Sequence, residues 1–301
     1  MSKIIVIGSS NTDMVIKSKK LPLPGETLLG GIFLMNPGGK GANQAVSAAR
    51  LGGNVTFVTK IGNDMFGNEA LNGFNTAKIN TRYIVRDPDN PSGVALINVN
   101  DDGENSIVVA PGANGTLGAN DIKSDVFETG RQDIFLMQLE IPVDTVKYVA
   151  EKASAKGSRV ILNPAPACWL ADDLFKCIFL ITPNETEAGI LTGLEVFDPA
   201  SARQAAEKLR DKGVKHVVIT MGGAGAYILS GTVSVMIPGI KVKAVDTTAA
   251  GDVFNGALAV AISEGQDIVS AVNFANKAAS ISVTRMGAQA SAPFRNEVVI
   301  Q

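Results

Sequence analysis

Between residues 245 and 263 the chain reads VDTTAAGDVFNGALAVAIS, and one carboxylate, Asp252, follows directly on three small residues, Ala249, Ala250 and Gly251. Small residues at the start of an apolar helix leave consecutive backbone N–H groups uncovered. Such a terminus draws anions through those donors and through the helix dipole. An ionised aspartate beside such an anion hole is equipped to take a proton from a hydroxyl that attacks a phosphate. An aspartate at a helix start is also an ordinary cap, but a cap does not require the alanine and glycine run. A strand is expected to end at Val245, and the dipole is expected to favour the ionised carboxylate.

A second stretch, NPGGKGANQA at positions 36 to 45, carries the glycines and lysine of a phosphate loop. It fails that pattern twice. Leu34 stands where a Walker loop needs its first glycine, and Gly41 replaces the hydroxyl residue that would hold magnesium. What remains is a glycine-rich turn feeding a helix with small residues at Ala42, Ala45, Ser47, Ala48 and Ala49. Glycines let a ligand approach the backbone closely, and Lys40 and Asn43 can bond hydroxyl groups. Asn11 and Asp13, just after the first strand, add two polar groups at the same edge. The set suits a polyhydroxyl ligand better than a triphosphate. A tight turn that only packs a small-faced helix on a sheet would use the same glycines.

These residues must be positioned by an alternation of strands and helices. KIIVIGS, VTFVTKIG, QDIFLMQLE, SRVILNPAP, CIFLITPNE and KHVVITMGG read as buried strands. GANQAVSAARLG, MFGNEALNGFNTA, VDTVKYVAEKASA, NETEAGILTG and ASARQAAEKLRDKG read as helices between them. Continuous apolar strands separated by helices predict an α/β fold with a mostly parallel central sheet covered on both faces. Ligands bind outside the carboxyl ends of such strands, where the polar tails ending in Glu140, NPAP, TPNE and TMGG fall. Residues 13–35 and 92–110 break the alternation and read as strands and turns, the second a hairpin around NDDG. They form either a small separate sheet that flaps over the site or an extension of the main sheet's edge.

Composition removes several function classes. The 301 residues are 46% apolar and 19% charged, enough for a sizeable core in one domain or two. Twenty-seven basic against 29 acidic residues give a formal charge of -2, so no basic excess exists to hold nucleic acid. No apolar run has transmembrane length, and the apolar core of MSKIIVIGSS is too short for a signal peptide. Cys168 and Cys177 lack metal-ligand spacing and read as reduced cytoplasmic thiols. With one histidine, His216, set at a strand entry, serine-type triads and histidine-based zinc sites are nearly excluded.

The pair GGKGANQAVSAARLG and DTTAAGDVFNGAL resembles the two signatures of the ribokinase family of carbohydrate kinases. NTD, NPAPA, TPNETEAGILTG, TMGGAGAY and TRMGAQAS fit the same order across essentially the whole chain. The resemblance implies a three-layer sandwich over residues 1–301 with a small β-sheet lid from about 13–35 and 92–110. It implies transfer of phosphate from ATP to O5 of D-ribose, with Mg2+ and an activating K+, in a cytoplasmic homodimer joined through the lid. Asp252 would be the base, with Ala249, Ala250 and Gly251 as the anion hole. Asn11, Thr12, Asp13, Gly39, Lys40, Gly41, Ala42, Asn43 and Glu140 would hold the sugar, and Ala95 and Ile97 would cover it. Asn184 and Glu187 would sit near the phosphates and magnesium. Thr220, Met221, Gly222, Gly223, Ala224, Gly225, Gly251 and Asn276 would line the nucleotide. Asp246, Thr248, Ser282, Arg285, Gly287 and Ser291 would occupy the potassium positions, several through backbone carbonyls. Departures are an alanine in AAGD where many relatives have glycine, Ser282 where alanine is frequent, and Met286 within the cation loop.

Other functions remain to be weighed. Kinases of 2-deoxyribose, fructose or a nucleoside such as adenosine share the scaffold. A dinucleotide-dependent dehydrogenase is a poor fit, because VIGSSNTD lacks G-x-G-x-x-G and GGAGAY leads into a strand. A non-catalytic sugar-binding regulator is allowed by fold alone, but the intact AAGD run argues against it.

Overall fold

Strands buried on both faces build the molecule. The computed structural model describes residues 2–299. In chain order the elements are β1 (Lys3–Ile7), β2 (Asn11–Lys17), β3 (Ile32–Gly38), α1 (Lys40–Arg50), β4 (Asn54–Gly62), α2 (Met65–Thr76), β5 (Asn80–Asp87), β6 (Gly93–Val99), β7 (Asn105–Ala110), β8 (Ile134–Met137), α3 (Val143–Ala155), β9 (Arg159–Leu162) and α4 (Asp172–Phe175). The second half adds β10 (Leu180–Ile181), α5 (Glu185–Thr192), α6 (Pro199–Asp211), β11 (His216–Thr220), β12 (Gly225–Ser230), β13 (Val233–Pro238), α7 (Ala250–Ser263), α8 (Ile268–Ser282), α9 (Ala288–Ser291) and α10 (Arg295–Val299).

Nine strands form the main sheet in the order β13-β12-β11-β10-β9-β8-β1-β4-β5. It is parallel from β11 through β5, and β12 and β13 add an antiparallel edge. Successive residues of a strand face opposite sides. Ile5 and Ile7 therefore join the core under α3 and α6, with Val146, Val149, Ala202 and Leu209. Ile4 and Val6 join the core under α1, α7 and α8, with Ala45, Ala257 and Val272. The result is a helix–sheet–helix sandwich whose strand ends lie along one edge.

The two irregular stretches form a sheet of their own, ordered β3-β2-β6-β7, and not an edge of the large one. Its β2 pairs antiparallel with β3 and parallel with β6. Its strands begin at Asn11 and run on to Gly38, beyond the expected limits. The strand expected to end at Val245 is absent. The Val245 and Asp246 N–H groups instead both donate to the Val283 carbonyl, at 2.7 and 3.2 Å, which fastens this segment to the end of α8.

Close backbone contacts set the helices that matter for the site. A Cβ on Gly41 would lie 2.6 Å from the Gly8 carbonyl carbon, so only glycine lets α1 begin directly on the end of β1. A Cβ on Gly256 would lie 2.7 Å from Ser47 Cβ, which brings α7 against α1.

Candidate active site

Asp252 is buried in the first turn of α7, and neither carboxylate oxygen caps the helix. Oδ2 accepts from Asn43 Nδ2 and Oδ1 from Gln44 Nε2, each at 2.9 Å. The capping alternative therefore falls. Burial raises the Asp252 pKa, against the lowering influence of Lys40, Gln44 and Asn43. Burial thus outweighs the favouring of the ionised carboxylate expected at a helix start. A carboxylate shifted upward is the stronger proton acceptor, as a base working near neutral pH requires.

The two helix starts differ in what their donors do. At α1 the Lys40 N–H donates to Glu140 Oε2 at 2.9 Å, the Gly41 N–H to Ser9 Oγ at 3.3 Å and the Ala42 N–H to the Ser9 carbonyl at 2.8 Å. These three donors are therefore taken. Gly41 and Ala42, expected to meet sugar hydroxyls, are buried packing positions instead, because their N–H groups are already used. At α7 the Ala250 N–H is taken by the Thr247 carbonyl at 3.2 Å, which removes it from the expected anion hole. The N–H groups of Ala249, Gly251 and Asp252 have no partner among the described residues. Ala249 adopts a left-handed φ of 60°, which costs an alanine roughly 1–2 kcal/mol and turns the chain into this terminus.

Around α1 a set of carboxylates converges on one lysine. Burial works against the Lys40 charge, but Asp252, Glu140, Glu187 and Asp13 together hold its pKa above the ordinary value. Asp13 is raised to about 6, first by burial and then by Glu140 and Asp252. Glu140 Oε2 accepts from Ser9 Oγ and the Lys40 N–H, which leaves Oε1 open. Asn11 is oriented by Asn114, whose Nδ2 donates to Asn11 Oδ1 at 2.7 Å and whose Oδ1 accepts from the Ser10 N–H at 2.9 Å. Asn43 Oδ1 is buried with no partner. Gly39, at φ 87°, brings its backbone so close that a Cβ would lie 2.7 Å from the Asn11 nitrogen. In the small sheet Asp13 pairs with Ala95, and Ile97 lies two residues along on the same face. Thr12 pairs with Val94 on the opposite face.

A cavity of about 870 Å3 opens from Asp252 along the strand ends. Of the expected residues, Lys40, Asn184, Glu187, Thr220, Gly222, Gly223, Gly225, Ala249, Ala250, Gly251 and Asn276 line it with Asp252. Asn184 and Glu187 also cap α5: the Asn184 N–H donates to Glu187 Oε2 at 2.9 Å and the Glu187 N–H to Asn184 Oδ1 at 2.8 Å. Burial raises the Glu187 pKa, opposed by the Asn184 N–H and Lys40. Met221 and Ala224 do not line the cavity. Met221 turns into the core, and the Ala224 N–H and carbonyl are both used within the turn, by Met221 and Gly239.

One wall of the cavity has no counterpart among the residues expected from sequence. Ile240, Lys241, Val242 and Ala244 line the cavity from a segment in no strand. Ile240 and Val242 are exposed apolar residues two apart just after Pro238-Gly239, and that pattern was the available signal. Ala279, Ser280 and Val283, at helical spacing from Asn276, complete the wall opposite. Asn163, Thr182 and Asn255 line the floor.

Residues 1–295 match the pfkB family of carbohydrate kinases. The chain belongs to that family. It is 45% identical over 296 residues to a ribokinase of Haemophilus influenzae, covering 98% of this chain and 97% of the relative. It is 39% identical over 292 residues to a deoxyribokinase of Salmonella typhi, covering 96% and 95%. Among solved structures, Arabidopsis thaliana ribokinase complexed with ribose and ATP superposes with a TM-score of 0.92 at 33% identity, covering 99% of this chain and 98% of that one.

In this carbohydrate kinase the loop expected to hold potassium is organised by Asp246. Its Oδ1 accepts from the Thr248 N–H at 2.9 Å and its Oδ2 from the Gly287 N–H at 2.8 Å. Burial acts against ionisation, but these bonds hold the Asp246 pKa below the ordinary range. The Ser282 and Ser291 hydroxyls donate to their own helix carbonyls, of Ala279 and Ala288, and Arg285 pairs with Glu297. Met286 is exposed. Among the described residues no three His, Cys, Asp or Glu side chains cluster for a metal.

Proposed function

We propose that this kinase transfers the terminal phosphoryl group of ATP to the 5-hydroxyl of D-ribose in the cytoplasm, giving D-ribose 5-phosphate and ADP. One observation carries the reading. Two helix starts meet at a single buried carboxylate: at α7 the Ala249, Gly251 and Asp252 N–H groups are unpartnered among the described residues, while at α1 the Lys40, Gly41 and Ala42 N–H groups are taken and hydroxyl-binding side chains surround the start. The phosphates belong on the α7 side and the sugar on the α1 side. The ribose- and ATP-bound relative supports the identity of both ligands.

Asn11, Asp13, Lys40, Asn43 and Glu140 hold the sugar hydroxyls. Asp252 takes the O5 proton, and the N–H groups of Ala249 and Gly251 stabilise charge on the transferring group. Most of the rate comes from position. Thr220, Gly222, Gly225 and Asn276 accept the nucleotide, with Ile240 and Val242 as its apolar wall. Four carboxylates act on one lysine here, so a triphosphate needs a divalent cation to enter. Asn184 and Glu187 would hold Mg2+ through water, where it would neutralise phosphate charge. The 246–248 and 282–291 loops would hold K+, with Asp246 and the backbone carbonyls as donors.

The small sheet serves as the lid of a single kinase domain, with Ala95 and Ile97 over the sugar. Closing it expels water and limits wasteful ATP hydrolysis. Its opposite face exposes Phe33, Met35, Leu96 and Val108, an apolar patch that fits a lid-to-lid homodimer.

An ADP-release assay over ribose, 2-deoxyribose, fructose and adenosine, with and without potassium, tests the reading. Ribose is expected to be the best acceptor and potassium to raise the rate. No sugar-dependent ADP, or preference for adenosine, defeats it. The deoxyribokinase relative makes 2-deoxyribose the rival to watch.

The raised Asp13 pKa sets a pH dependence. Asp13 is ionised above about 6 and protonated below it, and only the ionised form offers all its acceptors to sugar hydroxyls. The ribose KM is expected to be flat above pH 7 and to rise up to about tenfold per unit as pH falls below that pKa. Initial rates between pH 5 and 8 check this, and Asp13→Asn should flatten the profile. A KM independent of pH in the unmodified enzyme refutes it.

A further inference from the structure

Gln44 is fully buried beside Asp252 and does not line the cavity. Its Nε2 donates to Asp252 Oδ1 at 2.9 Å and to Asn163 Oδ1 at 3.0 Å. Its Oε1 accepts from Gln138 Nε2 at 2.5 Å. Asn163 is anchored in turn, because its Nδ2 donates to the Thr182 backbone carbonyl at 3.1 Å. A carbonyl can only accept, so Asn163 must turn its oxygen toward Gln44. Gln44 then faces two acceptors, the Asn163 oxygen and the Asp252 carboxylate, and only its NH2 group satisfies both. A flipped Gln44 would set its oxygen against two others in a site closed to water, at the full cost of unpaired polar groups.

We infer that Gln44 is a positioning residue for Asp252: it fixes one oxygen of the carboxylate through an amide chain anchored on the Thr182 carbonyl, without touching either substrate. Asn43, its neighbour, differs. It holds the other oxygen while its own Oδ1 is buried and unpartnered, an acceptor that a sugar hydroxyl would satisfy. Adjacent residues of one helix thus divide the work, one toward the sugar and one toward the base. The inference rests on Asp252 being the base.

The charged groups that act on Asp252 besides its two amide partners are Lys40 on α1 and Glu140 after β8, and Asp252 in turn acts on Asp13 of β2 and Glu187 of α5. None of them changes in a Gln44 variant. Gln44→Met keeps the volume of the side chain and removes both donated bonds. It is expected to lower kcat about tenfold at neutral pH, to move the acidic limb of the kcat profile up by about one pH unit, and to leave the ribose KM within about threefold. Gln44→Leu should do the same, and thermal melts of both variants with and without ribose establish that they fold and bind. Asp252→Asn, measured alongside, separates the two claims. Near-normal turnover in that variant defeats the base itself. A crippled Asp252→Asn, together with a Gln44→Met whose acidic limb has not moved or whose loss is in KM alone, defeats only the positioning role.

Discussion

Asp252→Asn is expected to lower kcat by roughly 10²–10⁴-fold, the usual worth of a general base, while ribose binding is largely retained. Asparagine keeps the size of the side chain but cannot accept a proton at neutral pH. Its NH2 group also opposes one of the two donors, Asn43 Nδ2 or Gln44 Nε2, that the carboxylate now satisfies. The sugar contacts proposed for Asn11, Asp13 and Glu140 are untouched, so the loss should appear in kcat. Steady-state kinetics with a direct ribose-binding measurement decide it, and turnover within a few-fold of the unmodified enzyme would rule out this assignment.

Asp13 carries the second large effect. Its carboxylate is assigned to the ribose 2- and 3-hydroxyls, and a hydrogen bond to a charged group contributes about 1.5–3 kcal/mol. Losing both bonds in Asp13→Ala should lower kcat/KM for ribose by roughly 10²–10⁴-fold. A sugar that lacks one hydroxyl forfeits one bond, so the unmodified enzyme should prefer ribose to 2-deoxyribose by roughly 10–100-fold. In Asp13→Ala that preference should shrink to a few-fold. Comparing kcat/KM for both sugars on both proteins tests the pair of statements. Equal use of deoxyribose by the unmodified enzyme sinks the assignment.

Much of the site could be read along the chain because its signals are local. The small residues before Asp252, the failed phosphate loop at 36–45 and the polar tails after buried strands are each patterns of a few residues. The wall at 240–244 was hidden because its residues form no regular element and are placed by the hairpin before them and by the end of α8. Ala250, Gly41 and Ala42 were misread for a related reason. Their types are right for an exposed helix start, but whether an N–H is free depends on which distant oxygen reaches it first.

The amino-acid sequence by itself determined the α/β architecture, the edge along which the cavity opens and the identity of the one carboxylate at an uncovered helix start. Each follows from periodicity or from side-chain size within a single element. Tertiary structure alone decided which N–H groups stay free, since Glu140 takes the Lys40 N–H from 100 residues away. It alone decided how Asp252 is held, through Asn43 at a separation of 209 residues and Gln44 at 208. Hydrogen bonds across such distances depend on how closely two backbones approach, and here that approach is set by glycines packed against glycine and serine.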